Sequence, residues 1–193
     1  MVSIAATLPI AGHLRAATRA AHDTVDASFS RFDLADRDDY ARFLLAHTRA
    51  TAAVEAVLTQ DSALPRWRPR LPLLLSDLAA LGRTPLPPLA FDLGDAPAAR
   101  LGALYVMEGS RLGGAILVKR LFAGAPAAFL SARHDPGEWR AFLQGLDDRG
   151  VGQPPQWRDD VGAGATACFA LYATAASSAP ERRPAHRGTG PVQ

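Results

Sequence analysis

The chain has 193 residues, enough for one domain with a sizeable core, and 48% of them are hydrophobic, which excludes a disordered protein. Its net charge of +2 makes no case for a nucleic acid or a membrane surface as partner. The single cysteine, Cys168, excludes an intrachain disulfide framework and an all-cysteine metal site, and it agrees with a reducing cytoplasm.

Helical periodicity runs through nearly the whole chain. A first helix is expected from about His13 to Phe29, where Leu14, Ala17, Ala21 and Val25 recur on one face. A second starts after Asp36, a candidate N-cap, and reaches about Gln60 with Tyr40, Phe43, Leu44 and His47 in its apolar stripe. A third covers about Arg70 to Leu81 and stops at Gly82. Thr84 to Pro88 reads as a proline-rich turn. A long helical region begins near Asp95-Ala96-Pro97 and reaches Phe122, with interruptions expected at Gly109 and at Gly113-Gly114. Asp135-Pro136-Gly137-Glu138 carries the N-cap, first-turn proline and capping-box glutamate of a helix start, and that helix ends near Asp148. The last helix runs from about Trp157 to Ala176. Residues 1–11 read as an N-terminal extension, 12–176 as the folded domain and 177–193 as a disordered tail. No strand pattern and no internal repeat appear, so the expected fold class is an all-α, single-domain helical bundle. The N-terminus shows no secretory signal, and no run approaches the roughly 20 apolar residues that cross a bilayer.

Two segments about ninety residues apart carry chemistry. On the first helix Arg15, Thr18, His22, Asp26 and Phe29 share one face. Neutral imidazole is a common ligand of heme iron, and its second ring nitrogen usually donates to a carboxylate, a carbonyl or water, a role open to Asp26. Arg15 lies about 10 Å along the axis from His22, by the 1.5 Å rise per residue, which suits a cation at a porphyrin rim. The same spacing also describes a surface histidine with a carboxylate one turn on and solvated arginines. His47 sits within an apolar stripe and is a rival ligand or a hydrogen-bonded core histidine. His13, His134 and His186 complete no spaced metal cluster.

The second segment, Gly109-Ser110-Arg111-Leu112-Gly113-Gly114, puts three glycines into a helix, each costing roughly 1 kcal/mol relative to alanine. It fails as a phosphate loop, because Ala115 follows Gly114 and no strand precedes it. It allows either close helix packing or a helix lying over a planar ligand, with main-chain groups and Ser110 beside a bound gas or water.

Together LRAATRAAHDTVDASFSRFDL at 14–34, YARFLLAH at 40–47 and LGALYVMEGSRLGGAIL at 101–117 resemble the heme oxygenases, most closely the bacterial, bacteriophytochrome-associated type. The likeness spans roughly residues 12 to 176. It implies heme b, both substrate and cofactor, held between the first helix and a glycine-kinked distal helix. His22 is then the proximal iron ligand, Gly109, Ser110, Gly113 and Gly114 form the catalytic distal face, and Arg15 pairs with a propionate. The implied reaction cleaves heme with O2 to biliverdin, CO and ferrous iron. No flavin or nicotinamide motif is present, so an external electron donor, a ferredoxin or a reductase, is implied. A bacteriophytochrome is the implied recipient of biliverdin, in the cytoplasm.

Two departures stand out. Many relatives carry an aspartate after the first glycine of the distal motif, and here that residue is Ser110. The last helix has no Lys or Arg between Thr166 and Ala176, which leaves Tyr172 as the polar candidate for the second propionate. A non-catalytic heme carrier or sensor of the same fold is the alternative these departures suggest. A thiaminase-II-like enzyme shares the architecture, but Cys168 has no basic neighbour to activate it as a nucleophile.

Overall fold

The structure, a computed structural model, describes residues 9–181; 1–8 and 182–193 lie outside the described residues, and with them most of the expected extension and tail. Every regular element among the described residues is helical: α1 (Ile10–Ser30), α2 (Arg37–Leu58), α3 (Leu71–Ala80), α4 (Pro97–Leu117), α5 (Ala128–Ser131), α6 (Glu138–Gly150) and α7 (Pro155–Ser177), with a 3-10 turn at Val118–Arg120 after α4. The expected all-α bundle is what the chain forms.

Local chemistry fixes the ends. Asp36 caps α2, its side chain accepting from Asp38 N–H at 3.0 Å and Asp39 N–H at 2.9 Å. Gly82, at φ 69°, takes the left-handed conformation that stops the chain after α3. Prolines occupy the first turns of α4 and α7, where the missing N–H costs nothing. The start of α1 lacks a capping side chain of its own, and Asp147 of α6 supplies one, accepting from Ile10 N–H at 2.5 Å.

α7 is the keel. α4 and α1 both pack along it, yet α1 and α4 barely touch each other. Small residues make this possible. A Cβ on Gly102 of α4 would lie 1.9 Å from the Val161 carbonyl oxygen, and one on Gly164 of α7 would lie 1.9 Å from that of Ala99. The two backbones are therefore in contact, and only glycine fits at either position. Around the crossing, Leu14, Leu44, Leu104, Val161 and Cys168 are wholly buried; each large apolar side chain contributes roughly 1.5 to 3 kcal/mol by leaving water. The wedge left between α1 and α4 opens a slot.

The structure corrects four sequence expectations. α4 runs through Gly109 and Gly113-Gly114 without interruption, because helix propensity is a weak prior that packing overrides. Asp135 does not cap α6: the helix starts at Glu138 behind Gly137, at φ 85°, and Asp135 pairs with Arg68 instead. The glutamate half of the box does form, with Glu138 Oε2 accepting from Asp135 N–H at 2.8 Å. The stretch Pro97–Arg120 is long and apolar enough to cross a bilayer, although half of it is buried inside the bundle as a core helix is. Finally, residues 177–181 are docked: Arg42 Nε donates to Pro180 O at 2.6 Å and Arg49 Nη1 to Ser178 Oγ at 3.0 Å.

Candidate functional site

The slot is a cavity of about 320 Å³ between α1 and α4, closed at its inner end by side chains from α2 and α5 and by Arg70, just ahead of α3. On its α1 wall stands His22, with 56% of its side chain exposed. Its Nδ1 lies 3.2 Å from Asp26 Oδ2, and Phe169 of α7 meets the ring edge-on at 5.4 Å. A carboxylate at Nδ1 favours the tautomer with its proton there, so Nε2 is left as a free lone pair. Among the described residues no three His, Cys, Asp or Glu side chains cluster as for a metal ion. A lone imidazole suits heme iron and suits zinc poorly.

The facing wall is the glycine surface of α4. Around a Cβ on Gly113 there is nothing within 4 Å, and one on Gly109 would meet only the Trp139 ring, at an ordinary 3.5 Å. Neither glycine is required by the protein's own packing, so the bare surface fits a flat ligand. Gly114 differs. Its Cβ would lie 2.6 Å from the Leu130 carbonyl oxygen, so it also serves to seat α5. Leu112, 51% exposed, extends the apolar lining of the slot.

The inner end holds three groups that stand near the two motifs without having been assigned to the site. α5, too short to show a period, is held by Asp77 of α3, whose two carboxylate oxygens accept from Ala128 and Phe129 N–H, each at 2.9 Å. Phe129 is thereby set under Arg70, whose guanidinium lies 4.1 Å above its ring centre. Arg70 is 3% exposed. It donates through Nη1 to Ser110 Oγ and through Nη2 to Phe129 O at 3.3 Å, while its Nε–H is buried without an acceptor. Burial pushes Arg70 down to about 10, still fully charged near neutrality. The signal was a lone arginine at the start of a helix, which carries no sequence pattern. His47 is the third group. Its Nδ1–H donates to Phe43 O at 3.0 Å, and Phe29 and Phe43 each lie 4.2 Å from its ring. Burial drives its pKa down to about 3, so it is neutral in the folded protein.

Ser110 lines the slot, but its hydroxyl proton is committed to Met107 O at 2.7 Å while its oxygen accepts from Arg70. The serine thus holds Arg70 in place and has no proton left to offer a ligand. Arg15 and Tyr105 stand at the rim; burial raises the Tyr105 pKa and the nearby Arg15 charge pulls it back. Tyr172 is not at the slot. Its hydroxyl is in the core, 2.8 Å from Thr51 Oγ1 and 3.1 Å from Met107 Sδ, which overturns its reading as a propionate partner. Cys168 is fully buried and desolvation raises its thiol pKa, so it offers no nucleophile.

No protein-family model matches the chain. It is 37% identical over 163 residues to the heme oxygenase of Xanthomonas campestris pv. campestris (strain 8004), across 77% of this chain and 94% of the relative. Its fold matches the NO- and CO-bound heme oxygenase of Neisseria meningitidis with a TM-score of 0.69 and 27% identity, over 95% of this chain and 100% of that one. It also matches heme oxygenase 2 of Chlamydomonas reinhardtii, solved without heme, with a TM-score of 0.68 over 89% of this chain and 98% of that one; at 20% identity the likeness is of fold alone.

Proposed function

The chain belongs to the heme oxygenase family, and from that premise we propose that the slot between α1 and α4 binds heme b and that the protein cleaves it with O2 to biliverdin, CO and ferrous iron. The observation that carries the reading is the pairing of His22, exposed on one wall, with Gly113 on the other, where a side chain would meet nothing. Bound heme supplies both the iron that activates O2 and the macrocycle that is cut.

The protein's part is to bind, orient and hold protons. His22 ligates the iron through Nε2, with Asp26 fixing the ring from Nδ1. Arg15 pairs with a propionate at the rim. Gly109 and Gly113 keep the distal wall bare, and Gly114 continues that wall where α5 supports it. Arg70, fixed by Ser110, supplies the buried positive charge on that side, in place of the aspartate that many relatives carry. This guanidinium, with one N–H unpaired, would stabilise negative charge developing on that side of the slot. Electrons would come from outside, from a ferredoxin or a reductase, and the likeness of residues 14–34 and 101–117 to the bacteriophytochrome-associated type supports a bacteriophytochrome in the cytoplasm as the recipient of biliverdin.

Mixing the protein with hemin and a reductant under air tests this. The Soret band should appear on binding and give way to biliverdin absorption. His22→Ala should lose the axially ligated spectrum and nearly all turnover, with added imidazole restoring part of both. If His47→Ala has that effect and His22→Ala has none, the ligand assignment is wrong.

A further inference from the structure

The α6 side of the slot is walled by Trp139, whose indole edge faces Gly109. The ring is gripped by three others. Tyr105 tilts against it at 5.7 Å between ring centres, Phe142 stacks at 5.6 Å, and His134 stacks at 5.7 Å with the two planes 6° apart. His134 is itself fixed, its Nε2 lying 2.8 Å from Glu108 Oε2. Glu108 pairs in turn with Arg111, and Arg111 Nη2 donates to Arg68 O at 2.6 Å. Burying Glu108, Arg111 and His134 together stabilises a loop poorly, because desolvation offsets most of the attraction. Such an arrangement does hold one ring in one orientation.

That orientation matters to a flat, nearly square ligand. Held at its centre by His22 and at one edge by the single exposed side chain of Arg15, which is long and flexible, such a ligand keeps part of its rotational freedom in its own plane. The glycines opposite carry no side chains to oppose rotation. Phe43 and Phe129 close the inner end; a rigid ring at the side restrains the angle where a flexible arginine does not.

We propose that Trp139 is the specificity-determining residue of this slot: it fixes the in-plane angle of heme and thereby selects the meso edge that is cut, with His134 and Glu108 as positioning residues. This rests on the heme-cleaving reading above. The test compares wild type with Trp139→Ala, Trp139→Phe and His134→Ala. Proton NMR of the heme methyl groups in the ferric cyanide complex reads the seating without turnover, and chromatography reads the biliverdin isomers. Wild type should show one dominant seating and one dominant isomer. Trp139→Ala should bind hemin and drop to a ratio of about 5:1 or lower in both readouts, equivalent to about 1 kcal/mol of preference or less. Trp139→Phe should lie between, and His134→Ala should show the minor seating with Trp139 still present. An unchanged methyl pattern and isomer ratio in Trp139→Ala overturns the proposal; if that variant fails to fold, unchanged ratios in both other variants do so. Failure of wild type to bind hemin would instead remove the reading beneath it.

Discussion

Gly113 and Gly114 are neighbours on α4, yet a methyl group would meet open space at the first and a backbone carbonyl at 2.6 Å at the second. Gly113→Ala should therefore raise thermal stability by up to about 1 kcal/mol, since alanine is the better helix former, while heme turnover falls or turns to peroxidase-like chemistry. Gly114→Ala should cost about 1 to 3 kcal/mol, because the overpacked site must shift Leu130. Thermal melts of the two variants, beside hemin turnover, check the split; equal melts would show that the two positions are not distinct. His47 makes a second prediction. The folded protein holds it neutral, with a pKa of about 3 against the usual 6.5. The unfolded chain takes up the proton first, so stability is complete above pH 6.5 and is lost as pH falls towards 3, at most about 1.4 kcal/mol per pH unit. His47→Gln removes that term. Urea midpoints at pH 7 and pH 4.5 should fall less in the variant than in wild type, with the carboxylates common to both cancelling; parallel falls would count against it. Arg70→Met should slow heme turnover roughly tenfold or more, as loss of a fixed donor beside developing charge does. Ser110→Ala should cost less, since the serine acts through Arg70. A larger loss in Ser110→Ala would reverse those roles.

At the scale of helices, the α4–α7 crossing rests on Gly102 and Gly164, each with a facing carbonyl oxygen at 1.9 Å from a would-be Cβ. Neither change can be absorbed by a side chain turning aside, because the obstacle is backbone. Gly102→Ala or Gly164→Ala should push the two helices apart and cost several times the 1 kcal/mol that alanine would otherwise add to helix propensity. Circular dichroism melts and soluble yield read this, and melts at or above wild type would contradict the close crossing. The periodic helices were legible to within a few residues: α2 begins where Asp36 said it would, and α3 stops at Gly82. α5 was not, because four residues after Gly124 and Pro126 hold no period; it exists through the remote carboxylate of Asp77 and the Tyr40 hydroxyl on Pro126 O at 2.8 Å. The run Asp135-Pro136-Gly137-Glu138 misled because Arg68, from another segment, claims the aspartate.

Across the whole molecule the site divides along the same line. His22, Asp26 and the glycine face were readable because helical spacing carries them; Arg70 and Trp139 were not, since each reaches the slot through contacts between distant segments. Tyr172 misled for the converse reason: its place in the last helix suggested the slot, but its side chain turns into the core. The architecture joins α1 to the rest mainly through α7, with a smaller contact to α6 and almost none to α4. A ligand gripping His22 on one side and the α4 glycines on the other therefore supplies a link the protein itself lacks. Binding to the native state alone stabilises it by RT ln(1 + [L]/Kd), about 2.7 kcal/mol at a hundredfold excess over Kd. That gain should not spread evenly. Hydrogen exchange should slow most along residues 15–29 of α1 and 105–117 of α4 when hemin is added, with α3 little changed, because local opening of α1 is what the bridge opposes. In His22→Ala the slowing in α1 should shrink much more than that in α4. Protection spread uniformly over all helices, or confined to α7, would mean that heme does not bridge α1 and α4.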